Sequence, residues 1–169
     1  LVYAAQHRTP ATFPDDPLVA GLDVARGGSD RCVIRFRRGT DAQSIPPIVI
    51  SGEQARDSMR LVTVAADVLG REFHGRKVTT LFVDGTGIGG PICDRLRQMG
   101  HENVIEIQFG ADSPDPKYAN MRAYICGRMR DWLPKGCIDA SPRLEMDLTA
   151  PGYGHDKKDA VVLESKEHM

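Results

Sequence analysis

The order of apolar segments along the chain constrains its fold most strongly. Residues 18–25, 32–36 and 47–51 are short apolar segments, and the Gly27-Gly28 turn between the first two is typical of an antiparallel meander. Two further strands are predicted at residues 78–83 and 103–109. Apolar residues at helical spacing follow the third, fourth and fifth strands, in three groups: Met59, Val62, Ala66, Leu69 and Phe73; Ile92, Leu96 and Met99; Met121, Ile125, Met129 and Trp132. This order predicts an α/β fold, in which a mixed sheet of an antiparallel meander plus parallel strands is flanked by helices.

Local signals predict where two of the helices begin or end. Ser51 and Gln54 match a capping box, which predicts that the first helix begins directly after the third strand. Pro91 suits the first turn of the second helix, and Gly100 is a stop signal after it.

Composition excludes several classes of protein. The 22 basic and 23 acidic residues give a net charge of −1, so no positive field dominates the whole surface, although a local basic face is compatible with this balance. No apolar run of 18 residues occurs, which excludes a membrane-spanning helix. The four cysteines form no metal-binding pattern with histidines, and buried reduced thiols are the better interpretation.

The glycine-rich segment from Gly85 to Gly90 matches the G-x-G-x-x-G pattern of dinucleotide-binding domains, after a strand and before a helix. Three features count against that alternative. The charge of Asp84 would oppose a pyrophosphate, the strand is the fourth of the chain, and only one further strand-helix pair follows.

Two acidic residues in apolar strands give a second hypothesis. Asp23 lies within the segment 18–25, where a buried carboxylate needs a partner, and Asp84 ends the strand at 78–83. If the strands are neighbours, the two carboxylates meet at one edge of the sheet, where a divalent cation such as Mg²⁺ or Mn²⁺ would neutralise them. The alternative is structural, with Asp23 capping a bulge and Asp84 starting an Asx turn. Asp30 is more plausibly a turn residue than a third participant.

Four segments together resemble a known family. Residues 19–30, around Asp23, and residues 82–96, around Asp84, resemble two motifs of the nuclease domain of tailed-bacteriophage terminase large subunits. Residues 118–136 and 148–167 continue the resemblance in the same order and at similar spacing.

The resemblance implies a ribonuclease H-like fold and a metal-dependent endonuclease that cuts concatemeric viral DNA during packaging. It implies that Asp23 and Asp84 are the catalytic metal ligands, for two Mg²⁺ or Mn²⁺ ions, with a third acidic ligand expected beyond Met169. Residues 1–17 would be a linker from a missing N-terminal ATPase domain, and residues 18–169 the nuclease domain without its C-terminal acidic segment. The implied partners are double-stranded DNA, the ATPase domain of the same parent chain, the portal and the small terminase subunit. The implied location is the host cell cytoplasm at the procapsid portal, not the mature virion.

Candidate DNA contacts are Arg26, Lys117 and Arg122, the last two because they flank a predicted helix start. A second basic group lies on the second strand, where a solvated face and a DNA-contacting face are equally good interpretations: Arg31, Arg35, Arg37 and Arg38. Asp156 and Asp159 are expected to be hairpin-turn acids. A non-catalytic module that docks on DNA or on the portal stays open as another function.

Overall fold

A computed structural model of the protein describes residues 1–24, 31–51 and 53–164. The chain divides into two compact units. The sheet unit comprises Thr12–Gln108, and the helix-hairpin unit comprises Leu1–Ala11 together with Phe109–Met169. Within the described residues, every helix is too short or too polar to cross a lipid bilayer.

The elements are numbered in chain order. The helices are α1 (Val2–Gln6), α2 (Glu53–Arg56), α3 (Ser58–Gly70), α4 (Gly89–Gln98), α5 (Met121–Trp132) and α6 (Pro142–Thr149). The strands are β1 (Leu18–Asp23), β2 (Cys32–Arg38), β3 (Asp41–Ala42), β4 (Ile48–Ile50), β5 (Glu72–Phe73), β6 (Arg76–Lys77), β7 (Thr80–Asp84), β8 (Val104–Ile107), β9 (Cys137–Ile138), β10 (Tyr153–His155) and β11 (Val161–Leu163).

The sheet unit is built around β1. This strand pairs with β2 in antiparallel fashion and with β7 in parallel fashion, and β7 in turn pairs in parallel with β8. Both β3 and β4 pair with β2 in antiparallel fashion. The predicted combination of an antiparallel meander with parallel strands is therefore confirmed, including the adjacency of the first strand to the strand that ends at Asp84.

One face of this sheet packs against α3 and α4. Alternate residues of β1 are buried on that face, as expected for a strand with one covered side. The core also takes apolar residues from β2, β7 and both helices, and its largest fully buried members include Leu18, Ile34, Leu61, Leu81, Ile92 and Leu96. On the opposite face, Phe82 and Ile105 remain 37% and 44% exposed.

A helix begins directly after the third strand of the meander, as the capping box at Ser51 predicts, but it ends after one turn and a second helix follows. The first of these is α2, and the carboxylate of Asp57 caps the second, α3, by accepting from the backbone N–H groups of Met59 and Arg60, at 2.9 and 3.2 Å. An Asp at the N-cap satisfies N–H groups that have no partner within the helix. Val62 and Leu69 of the predicted face are buried, together with Leu61, Ala65 and Val68, whereas Met59 is exposed. Gly100 follows α4 with a φ of +92°, which confirms it as a stop residue.

Residues 1–17, the predicted linker, begin with a short helix that is anchored within the helix-hairpin unit. Val2–Gln6 is helical, and the side chain of Gln6 is buried, where its amide donates to the carbonyl oxygens of Asp139 and Ser141 at 3.2 and 3.1 Å. The guanidinium of Arg8 donates to the carbonyl oxygens of Leu133 and Gly136. The sequence does not reveal these contacts, because the residues that Gln6 and Arg8 bind lie more than 120 positions further along the chain.

Helix α5 buries a different face from the predicted one. The predicted residues included Ile125, which is 37% exposed, whereas the fully buried residues are Ala123 and Gly127. Gly127 lies against the ring of Tyr118, where any Cβ would collide with the aromatic carbons. Position 127 needs a residue without a side chain because the ring of Tyr118, from the segment before α5, occupies that space.

Strands β10 and β11 form a hairpin in the helix-hairpin unit. The Asp156 carboxylate accepts from the backbone N–H groups of Lys158 and Ala160, at 2.8 and 3.0 Å, and Asp159 has a φ of +61°. The expectation that both acids are hairpin-turn residues is confirmed.

Candidate metal centre

Asp23 and Asp84 lie at the carboxyl ends of neighbouring parallel strands. Asp23 is the last residue of β1, and Asp84 is the last residue of β7. Leu22 pairs with Val83, so the two acids occupy the next position along each strand, about 4.8 Å apart across the sheet. Since successive side chains alternate between faces, both acids lie on the face opposite the buried Leu22 and Val83.

Asp23 differs from its predicted setting in one respect. The sequence places it inside an apolar segment, but β1 ends at Asp23 and its side chain is exposed. The cost of burying a carboxylate therefore does not apply to Asp23. The argument for a metal site depends instead on the adjacency of the two acids.

The side chain of Asp84 is held in one orientation by its own loop. Its Oδ1 accepts a hydrogen bond from the backbone N–H of Thr86 at 2.9 Å, which is the Asx-turn contact considered as the structural alternative. The side chain is half-buried. This bond occupies one carboxylate oxygen and fixes the direction of the other, so the turn and a metal-binding role are compatible.

The glycines after Asp84 are explained by close packing. A methyl group on Gly89 would overlap the carbonyl oxygen of Asp84, and one on Gly85 would overlap the side chains of Glu106 and Gln108. Gly87 has a φ of +76°, which a residue with a Cβ rarely adopts. These contacts account for the glycine-rich pattern without a dinucleotide.

The donor set of the acid pair suits a hard divalent cation. Two carboxylates on adjacent strands without cysteine or histidine are ligands that Mg²⁺ and Mn²⁺ accept, with water or phosphate oxygens completing the coordination. Within residues 1–24, 31–51 and 53–164, no group of three acidic, histidine or cysteine side chains is placed to hold a metal ion. Among the described residues, Asp23 and Asp84 could therefore serve as two protein ligands of such a cation.

The predicted DNA contacts have different outcomes. Arg26, like Asp30, lies outside the described residues. Lys117 is exposed, with its Nζ 5.6 Å from the ring centre of Tyr118, and the guanidinium of Arg122 donates to the carbonyl oxygen of Glu164 at 2.9 Å.

The start of α5 does not offer the phosphate site on which two of these predictions depended. The N–H groups of Met121 and Arg122 donate to the carbonyl oxygens of Ala111 and Phe109, and that of Ala123 donates to the side chain of Asn120. A helix start binds phosphate through N–H groups that have no other partner. Any contact of Lys117 or Arg122 with DNA must therefore come from the side chains alone.

No protein-family model and no curated protein matches the sequence. Solved structures do match. The nuclease domain of the large terminase subunit gp2 of bacterial virus Sf6 superposes with a TM-score of 0.71 at 14% identity, over 99% of this chain and 86% of that one. The chain has the fold of a phage terminase nuclease domain.

Two further structures of this kind support the same fold. The large terminase nuclease from thermophilic phage G20c with bound magnesium gives a TM-score of 0.63 at 13% identity, covering 91% of this chain and 74% of that one. The large terminase nuclease domain of Thermus phage P74-26 gives 0.55 at 10% identity, covering 92% and 73%. The terminase nuclease fold is ribonuclease H-like, as the four sequence segments implied.

Sequence reasoning missed two residues that contact the glycine following Asp84, on the other face of the sheet. Glu106 pairs with Val83 and so lies on the helix-covered face, and Gln108 follows the end of β8. The amide of Gln108 donates to the Glu106 carboxylate and, at 3.3 Å, to the carbonyl oxygen of Gly85. The only signal in the sequence was indirect, since Gly85 must lack a side chain to leave them room.

Proposed function

We propose that this chain is a metal-dependent DNA endonuclease that cuts concatemeric viral DNA during genome packaging. The observation that carries the proposal is the placement of Asp23 and Asp84 on one face of the sheet, at the ends of adjacent parallel strands. Support comes from the shared fold and from the metals in the neighbouring structures, which include magnesium in the G20c nuclease and manganese in a mutant of the Sf6 nuclease domain.

In the proposed reaction, water attacks a phosphodiester and the 3′ oxygen leaves. Two divalent cations, when bound, supply Lewis-acid activation of the water and stabilise the charge of the phosphate and of the leaving oxygen. Asp23 and Asp84 would hold the cations at the carboxyl ends of β1 and β7, and the Thr86 N–H keeps the Asp84 carboxylate in one orientation. A third acidic ligand, beyond Met169, is part of this proposal.

The proposed setting follows from the family resemblance. The chain would act with the ATPase domain of its parent protein, with the portal and with the small terminase subunit, in the host cytoplasm at the procapsid portal. Its DNA contacts would be local, through Arg26, Lys117 and Arg122, since the net charge of −1 provides no general attraction to phosphate.

The test is plasmid nicking with Mg²⁺ or Mn²⁺, with and without EDTA, using this chain and a version extended through the residues encoded after Met169. We expect the extended chain to cleave only when metal is present, and the shorter chain to cleave poorly. Cleavage by the extended chain at full rate in EDTA would contradict the two-metal mechanism. DNA binding without cleavage under all metal conditions would instead favour the non-catalytic docking module.

A further inference from the structure

The peptide group directly after Asp84 is held by β8 and by the residue that follows this strand. The N–H of Gly85 donates to the carbonyl oxygen of Ile107 at 2.9 Å, and the carbonyl oxygen of Gly85 accepts from the side-chain amide of Gln108 at 3.3 Å. Gly85 is also buried. The position of Gly85 therefore depends on the side chain of Gln108 as well as on the backbone pairing with β8.

Glu106 orients that side chain. Its carboxylate accepts a hydrogen bond from the same amide nitrogen of Gln108. A bond to an ionised acceptor is stronger than one between neutral groups, so the amide nitrogen is kept on the side of Glu106 and Gly85. Because Glu106 lies on the face opposite Asp84, it acts through Gln108 and Gly85 and not as a ligand in the acid pair.

We propose that Glu106 and Gln108 are positioning residues that set the orientation of the Asp84 carboxylate for metal binding. Fixing Gly85 places the next N–H, that of Thr86, where it donates to Oδ1 of Asp84. With that oxygen held, Oδ2 has a defined direction toward a cation. This inference deepens the proposed function and depends on it, since it assigns supporting residues to the same site.

The expected size of the effect follows from other metal sites. Residues that orient a ligand from outside the coordination shell typically change metal affinity by about 10–100-fold when they are removed. Gln108→Ala should therefore weaken Mn²⁺ binding by about tenfold. Glu106→Ala should have a similar effect, whereas Glu106→Gln keeps an acceptor oxygen for Gln108 and should retain most of the affinity.

The experiment measures two properties of the full chain. The first is hydrogen exchange of the Thr86 amide in metal-free protein, and the second is Mn²⁺ affinity from the electron paramagnetic resonance signal of free Mn²⁺. Gln98→Ala is the matched control, because Gln98 is an exposed glutamine of α4 whose side chain accepts from Arg95 at 3.2 Å, on the same helix. We expect faster Thr86 exchange and weaker Mn²⁺ binding for Gln108→Ala, and neither change for Gln98→Ala.

The outcomes separate this inference from the proposed function. If Asp84→Asn weakens Mn²⁺ binding but Gln108→Ala leaves both Thr86 exchange and Mn²⁺ affinity unchanged, the positioning role is wrong and the function stands. If Asp84→Asn binds Mn²⁺ as tightly as the unchanged protein, the proposed metal site itself is wrong. Should Gln108→Ala fail to fold, the comparison of Glu106→Ala with Glu106→Gln decides in the same way, since equal affinities would overturn the inference.

Discussion

Gly89 packs directly on the main-chain carbonyl oxygen of Asp84, so closely that a methyl group at position 89 would overlap it. Neither partner can move easily, because the carbonyl belongs to the end of β7 and Gly89 begins α4. The contact joins the first turn of the helix to the backbone of the proposed metal ligand. Substitution at position 89 is therefore expected to disturb Asp84 as well as the packing of α4.

The first prediction concerns this contact. Gly89→Ala should destabilise the protein by about 1–3 kcal/mol, the usual cost of forcing an extra methyl group into a packed site. Gly70→Ala is the control, because Gly70 is the last residue of α3 and has nothing within 4 Å of its Cβ position. It should be neutral or stabilising by up to about 1 kcal/mol. Urea unfolding measures both, and equal stability of the two variants would contradict the prediction.

The second prediction tests the acid pair by charge removal. In the version extended beyond Met169, Asp23→Asn and Asp84→Asn should each reduce metal-dependent DNA cleavage by at least about 100-fold, because each removes a ligand whose contribution is several kcal/mol and 1.36 kcal/mol corresponds to a factor of ten. The circular dichroism spectrum should not change. Asp67→Asn, on the exposed surface of α3, should cleave at the normal rate. Normal cleavage by Asp23→Asn would remove that residue from the site.

The third prediction concerns the cysteines. Cys32, Cys93 and Cys137 are buried, and Cys126 is exposed. Burial raises the pKa of Cys93 to about 11, so that at pH 8 only about one thiol in a thousand is ionised. Desolvation also raises the pKa of Cys126 above 9.0, which slows its reaction without preventing it.

A disulfide reagent at pH 8 should therefore modify one cysteine in the native protein and four in urea. Cys126→Ser should abolish the native reaction. Rapid modification of Cys93 in folded protein would show that the packing around α4 is looser than described.

The fourth prediction concerns the pH dependence of the β10–β11 hairpin. Hydrogen bonds from the backbone N–H groups of Ala160 and Lys158 lower the pKa of Asp156 below 3.8. A lowered pKa in the folded state means that the ionised carboxylate stabilises the turn above pH 3.8. This stabilisation is lost as the pH falls through the lowered pKa.

Carboxyl chemical shifts should show Asp156 titrating below 3.8. Nuclear Overhauser contacts between Tyr153 and Leu163, which pair across the hairpin, should weaken over the same range. Titration of Asp156 at or above 3.8 would contradict the role of the two N–H bonds.

Much of the sheet unit could be predicted from the sequence because its signals are local. The strands β1, β2 and β7 are short apolar runs, and a short apolar run bounded by turn residues predicts a buried strand. The positions of Asp23 and Asp84 relative to these runs identified both candidate ligands. The proposed chemistry of the site also rests on the sequence, since paired carboxylates without soft ligands select hard cations.

The features that the sequence did not reveal depend on contacts between distant residues. The anchoring of Gln6 and Arg8 uses carbonyl groups of residues 133–141, and the burial of Gly127 depends on Tyr118, so no local periodicity could show them. The capping box at Ser51 correctly predicted a helix start, but not the break between α2 and α3, where Asp57 caps the longer helix.

The sequence by itself determined which residues could bind a metal, and the tertiary structure decided which of them meet. Asp23 and Asp84 are 61 residues apart in the chain, and only the parallel pairing of β1 with β7 places them side by side. The support from Glu106 and Gln108 was also decided by the fold, because it passes through the carbonyl oxygen of Gly85, a group that every residue carries. Residue identity encodes chemistry, but the geometry of a site depends on strand register, which is set by packing of the whole sheet.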